Sequence, residues 1–110
     1  MKKVDVLGNE KFDIKNYNII CAISMNHNKD QNQFDQYRLY DAHCNLVEID
    51  KTLKEYGYGY ILTHTYQNGW DSWGDEYACT VKDIKNIIKN AKNKEHLFIK
   101  ALEEYFGKQD

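Results

Sequence analysis

A chain of 110 residues, 42% hydrophobic and 29% charged, is long enough to fold as one domain and too apolar for a disordered segment. No run approaches the roughly 20 apolar residues a bilayer span needs. The formal charge is −2, with eight bases against twelve acids in residues 1–79 and seven against five in residues 80–110. The opening Met1-Lys2-Lys3-Val4-Asp5-Val6 reaches an acid before any apolar core of a signal peptide has formed, so cytoplasmic residence is expected. Three cysteines, Cys21, Cys44 and Cys79, are an odd number without CxxC spacing. Free thiols in a reducing compartment fit them better than a disulfide framework. The chain has no proline, so its turns must come from Gly, Asn and Asp.

Val4 to Leu7 and Phe12 to Ile14 read as short arms around the turn Gly8-Asn9. Tyr17 to Met25 alternates with period two. Tyr17, Ile19, Cys21, Ile23 and Met25 fall on one face, as in a half-buried strand. The next eight residues, Asn26 to Gln33, are all polar and predict an exposed loop. Gln36 to Asp41 and Leu46 to Ile49 predict a hairpin about Ala42-His43-Cys44-Asn45. Asp50 then caps a two-turn helix over 51–56, closed by Gly57.

Tyr58 to Tyr66 is the most strand-like stretch, with Tyr58, Tyr60, Leu62, His64 and Tyr66 on one face. A loop from Gln67 to Asp75 and a short return strand, Glu76 to Cys79, are expected after it. Thr80-Val81-Lys82-Asp83 matches a capping box. Val81, Ile84, Ile87, Ile88 and Ala91 repeat at helical spacing, as do Leu97, Phe98, Ala101, Leu102, Tyr105 and Phe106. The lapse between the two sets predicts two helices jointed at Asn90 to Asn93, the second closed by Gly107. The fold class is therefore α+β over residues 1–110: an antiparallel sheet of about five to seven short strands with a C-terminal helix pair on one face. Tyr17, Ile19, Cys21 and Ile23 are expected to meet Ile84, Ile88, Phe98 and Leu102, leaving the tyrosines and the tryptophan loop for the other face or the edge.

The segment Asn68 to Tyr77 concentrates two tryptophans, two glycines and three acids. Exposed tryptophans give large contact area at low entropic cost and dominate binding hot spots. Acids steer a surface toward a basic partner. Tyr66, Trp70, Asp71, Trp73, Asp75 and Glu76 are thus the candidate contact residues. The competing expectation is that the tryptophans fold back over the core, where most are found.

The chemistry-bearing alternatives are thinner. His64 with Asp71 or Asp75 has the elements of a general base, yet no nucleophile or oxyanion hole accompanies it. A histidine bonded to a tyrosine hydroxyl is the commoner arrangement. His43, Cys44, Cys21 and Cys79 include soft zinc ligands, but adjacent His-Cys is a poor chelating pair and zinc sites draw on C-x₂₋₄-C or H-x₃₋₅-H spacing. No metal or cofactor is expected. Lys82, Lys85, Lys89 and Lys92 share a helix face suited to phosphate, although it lacks the arginine that reads bases and is as well explained by solvation.

P-loop, dinucleotide, nucleophile-elbow, HExxH and EF-hand patterns are absent from the sequence. The sequence therefore favours a non-enzymatic inhibitor that occludes a macromolecular partner. That partner presents a basic surface, such as a nucleic-acid-binding effector. Anti-CRISPR and toxin-immunity proteins of phages and mobile elements share this size and surface, an analogy rather than a motif match. The alternative is a nucleic-acid-binding module using the Lys82–Lys94 face, with tyrosines as stacking platforms. A homodimer through a strand edge is compatible with either.

Overall fold

The structure, a computed structural model, describes residues 1–4, 18–27, 32–41, 55 and 57–109. Among these, five strands and two helices follow in order: β1 (Lys2–Lys3), β2 (Asn18–Asn26), β3 (Gln33–Asp41), β4 (Tyr60–Asn68), β5 (Asp71–Cys79), α1 (Val81–Asn90) and α2 (Leu97–Phe106). The strands form one open antiparallel sheet in the order β1-β5-β4-β3-β2. This is the expected α+β architecture. The arms about Gly8-Asn9, the turn 42–45 with its strand at 46–49, and the helix over 51–56 lie, apart from Val4 and Glu55, outside the described residues.

The helices cover one sheet face. Leu39, Cys79, Ile84, Ile88, Phe98, Ile99 and Leu102 form the buried cluster, with Ile20, Cys21, Ile23, Tyr37, Tyr60, Leu62 and Tyr77 packed against it. Each fully buried aliphatic or aromatic side chain contributes roughly 1.5–3 kcal/mol, so this cluster is the main force holding the helix pair to the sheet. The expected meeting of Cys21 and Ile23 with Ile84, Ile88, Phe98 and Leu102 is present. Ile19, however, is 56% exposed. Between Ile19 and Cys21 the β2–β3 register slips, with Ile19 opposite Tyr40 and Cys21 opposite Leu39. A bulge of one residue moves every side chain before it to the opposite face. Ile20 therefore joins the core in place of Ile19.

The tyrosines also lie differently from the expectation. Tyr37, Tyr60 and Tyr77 pack on the helix-covered face, and Tyr66, two residues along from His64 on β4, shares that face. On the opposite face Tyr40, Ile61, Thr63 and Ala78 are buried as well.

The helix signals are realised. Thr80 Oγ1 accepts from the Asp83 amide at 3.1 Å, and Asp83 accepts from the Thr80 amide at 2.9 Å, which satisfies two donors that a helix start otherwise leaves open. The joint spans 91–96 rather than 90–93, because His96 is the N-cap of α2, its Nδ1 accepting from the Phe98 amide at 3.2 Å. Lys94 Nζ donates to the carbonyls of Ile88 and Lys89, the latter at 2.9 Å. The ammonium thus closes the negative end of α1. Gly107 caps α2.

Candidate functional site at the hairpin end

β4 and β5 are both nine residues long and pair over their full length, from Tyr60 with Cys79 to Asn68 with Asp71. The expected loop from Gln67 to Asp75 is therefore only the two residues Gly69 and Trp70. Gly69 has φ +60°, the left-handed value that two-residue hairpin turns require at their first central position. The strand continues through the polar run Asp71-Ser72-Trp73-Gly74-Asp75 because Trp73 lies opposite Tyr66, their rings 4.7 Å apart and tilted by 46°. Cross-strand aromatic pairs of this kind stabilise a sheet by some tenths of a kcal/mol to about 1 kcal/mol.

This arrangement decides the fate of both tryptophans. Trp70, at the turn, is 104% exposed, and Trp73 is 57% exposed. Neither folds over the core. Asp71, Trp73 and Asp75 alternate onto the helix-covered face of the sheet, at the end away from the buried cluster. Tyr66 completes that patch. Glu76 falls between Asp75 and Tyr77 and points to the opposite face, so it does not belong with the other five. Asp75 is held by Lys3, whose Nζ lies 3.0 Å away. That pair is solvent-exposed and adds little stability.

The carboxylate partner expected for His64 is corrected. Asp75 lies opposite His64, but His64 Nε2 is bonded to Asp35 Oδ1 at 2.6 Å. His27 Nε2 reaches the other oxygen, Oδ2, of the same carboxylate. Burial acts to raise the Asp35 carboxyl. The hydrogen bonds from His64 and His27 outweigh it and hold the group below the ordinary carboxylate range. The ring of His64 stacks on Tyr37 at 4.3 Å and 4°, and Tyr37 in turn contacts Phe98 at 5.2 Å and His96 at 5.3 Å. Tyr37 thereby ties the His27–Asp35–His64 cluster to the core. Sequence reasoning missed it, because β3 starts at Gln33 instead of Gln36, which places Asp35 within the strand and diagonal to His64.

The other candidate chemistry finds less support. Among the described residues no group of three or more His, Cys, Asp or Glu is placed to hold a metal ion, and His43 and Cys44 lie outside them. Cys79 is buried, which pushes its thiol up to about 12. Burial raises Cys21 too. Lys82, Lys85 and Lys89 are exposed along α1, while Lys92 stands beyond the helix end. Here Lys92 lies at the rim of a cleft of about 310 Å³ between the 91–96 joint and the sheet, floored by Leu62, Ile87 and Ile99. No helix among the described residues is long and apolar enough to cross a membrane.

Comparison with protein-family models, with curated proteins and with solved structures finds no match for this chain.

Proposed function

We propose that the chain is a small cytoplasmic binding protein that acts without catalysis, by placing its β4–β5 hairpin end in a site on another macromolecule. The observation that carries this reading is the pair of exposed tryptophans, Trp70 at the turn and Trp73 backed by Tyr66. Trp70 adds nothing to folding at the turn, and Trp73, beyond its contact with Tyr66, keeps more than half of its surface in water. A partner that covers them gains contact area from two rings carried on one hairpin, that of Trp73 already held against Tyr66. Asp71 and Asp75 flank the rings and favour a basic surface, as a nucleic-acid-binding effector presents. An inhibitor of the anti-CRISPR or toxin-immunity kind would use such an end to occlude a charged cleft.

A second reading rests on the exposed Lys82, Lys85 and Lys89 of α1, which offer phosphate contacts and would make the chain a nucleic-acid-binding module. One experiment separates the two. The tagged chain, a Trp70→Ala/Trp73→Ala variant and a Lys85→Glu/Lys89→Glu variant are used to capture partners from host lysate, with elution in rising salt. The occlusion reading expects a stoichiometric protein that survives moderate salt, is lost with the tryptophan variant and is kept by the lysine variant. Nucleic acid captured alone, released as salt rises and lost with the lysine variant, would replace it with the second reading.

A further inference from the structure

We propose that the outer edge of β2 is the contact surface of a homodimer, in which the β2 strands of two copies pair antiparallel about a twofold axis at Ile23. The surface is separate from the hairpin end. β2 closes one side of the sheet, and among the described residues β3 is the only strand paired with it. Proteins protect such edges with charge, proline or a covering segment, because an open row of backbone donors and acceptors recruits another strand. The nine residues of β2 contain no charge and no proline. The opposite edge differs: β1 covers β5 at Tyr77 and Ala78, and the remainder of β5 carries Asp71 and Asp75.

What stands above the edge identifies the occupant. α2 packs over β2, whereas α1 lies over β5. Within α2, Phe98, Ile99 and Leu102 face the core, and Ile99 borders α1 across Ile87 and Ala91. Leu97, Ala101 and Tyr105 recur at i, i+4 and i+8 on the other flank, the one above the open edge. Leu97 and Tyr105 are both more than half exposed. Phe98 contacts Tyr37, and Tyr37 pairs with Ile23, so Leu97 stands at the level of Ile23. An extended peptide added to β2 would satisfy its backbone and leave this stripe in water. A second copy brings an open edge and a helix stripe at the same height, and a twofold axis normal to the sheet joins both at once. The bulge at Ile20 confines regular pairing to residues 21–26. An axis at Ile23 uses that run, setting Cys21 against Met25 and Ala22 against Ser24, with no charge meeting a like charge. Leu97 then meets its own copy above the strands. Stable interfaces bury roughly 800 Å² per partner, more than a short ladder offers, so the α2 stripe belongs to the contact.

The test is sedimentation equilibrium of the full chain, with variants at the exposed positions Ala22, Ser24 and Leu97, whose folds are checked by circular dichroism. The wild type should have the mass of two chains at micromolar concentration. Ala22→Lys/Ser24→Lys sets lysine against lysine twice across the axis and should raise the dimer dissociation constant roughly tenfold. Ala22→Lys/Ser24→Glu sets lysine against glutamate at the same places and should return the constant to near the wild-type value. Leu97→Asp should raise it roughly tenfold as well, and the charge designs serve should that variant fail to fold. A monomeric wild type, a dimer indifferent to the β2 changes, or equal weakening by the two charge designs would each overturn the proposal. So would a dimer lost in Trp70→Ala/Trp73→Ala, which places the contact at the hairpin end. A monomeric wild type leaves partner capture by Trp70 and Trp73 as it stands.

Discussion

His64 and Asp35 sit on neighbouring strands, two register positions apart on the same face, and share a 2.6 Å hydrogen bond between Nε2 and Oδ1. With His27 on the second oxygen, one carboxylate links the end of β2 to β3 and β4. Its carboxyl lies below the ordinary value in the folded state, so the unfolded chain binds the proton more readily. The stabilisation is then fully present above the unfolded carboxylate value, about 4, and is lost as the pH falls through the lower folded value. Asp35→Asn should cost about 1 kcal/mol at neutral pH and should flatten the loss of stability below about pH 4. Urea midpoints for both proteins from pH 6 to pH 3 measure this. Part of the acid slope must persist in the variant, because Asp83 in the capping box is depressed as well, its bonds with Thr80 among those that outweigh its burial. Parallel curves for the two proteins would mean the cluster contributes nothing to folding.

Gly74 lies opposite Thr65 on β5. A Cβ built there would come within 2.6 Å of the His64 carbonyl oxygen and 2.8 Å of the Thr65 methyl. The first neighbour is backbone and cannot swing away. Gly74→Ala should therefore push β5 from β4 and lower stability by about 1–3 kcal/mol, read as a drop in the thermal midpoint. The usual gain from replacing a strand glycine by alanine predicts the opposite sign, so the direction alone decides.

Trp70 has no folded-state contact to lose at 104% exposure, and Trp70→Ala should change stability by no more than about 0.5 kcal/mol. Trp73→Ala removes the ring against Tyr66 and should cost up to about 1 kcal/mol. Both wild-type rings should emit at the long wavelengths of water-exposed indole and be open to acrylamide. Binding of a partner at the hairpin end should shift that emission to the blue and suppress quenching. The double variant should lose about 2 kcal/mol or more of affinity while keeping its fold; unfolding of the variant would place the tryptophans in the core after all.

Helix and strand identity could be read from the sequence where local chemistry was strong. The Thr80/Asp83 box and the stripe of Ile84 and Ile88 define α1 without reference to the rest of the chain, because every contact involved is within four residues or on one face. Other parts of the fold depend on tertiary pairing. Nothing local separates a two-residue turn at Gly69-Trp70 from a longer loop, since the polar stretch 71–75 becomes a strand only through pairing with β4. The bulge at Ile20 is set by the partner register, so Ile19 looked like core. The candidate contact residues Tyr66, Trp70, Asp71, Trp73 and Asp75 stand out by composition alone, and Glu76 stands with them until the register assigns it to the other face. Asp35 and His27 were invisible as a pair with His64, their sequence separations from it being bridged only by the meander.

The thiols give a direct check on how the core is closed. A thiolate is the reactive form, and at Cys79 desolvation pushes the thiol up to about 12, helped by the nearby Asp83 charge. At pH 8 its thiolate fraction is on the order of 10⁻⁴, against roughly a tenth to a quarter for a free cysteine. Its thiol donates to the Tyr77 carbonyl at 3.7 Å, and the Leu62 amide and the chain's amino terminus, which favour the thiolate, do not outweigh the desolvation. Cys21 is half-buried and shifted in the same direction. Maleimide labelling of the native protein, mapped by peptide mass, should therefore modify Cys21 slowly and leave Cys79 untouched until denaturant is added. Rapid labelling of Cys79 in the native state would require that α1 lift from β5 far more often than the burial of Ile84 and Ile88 allows. The same shielding leaves Cys79 unable to serve as a thiolate ligand, so added zinc should not slow the labelling of either residue.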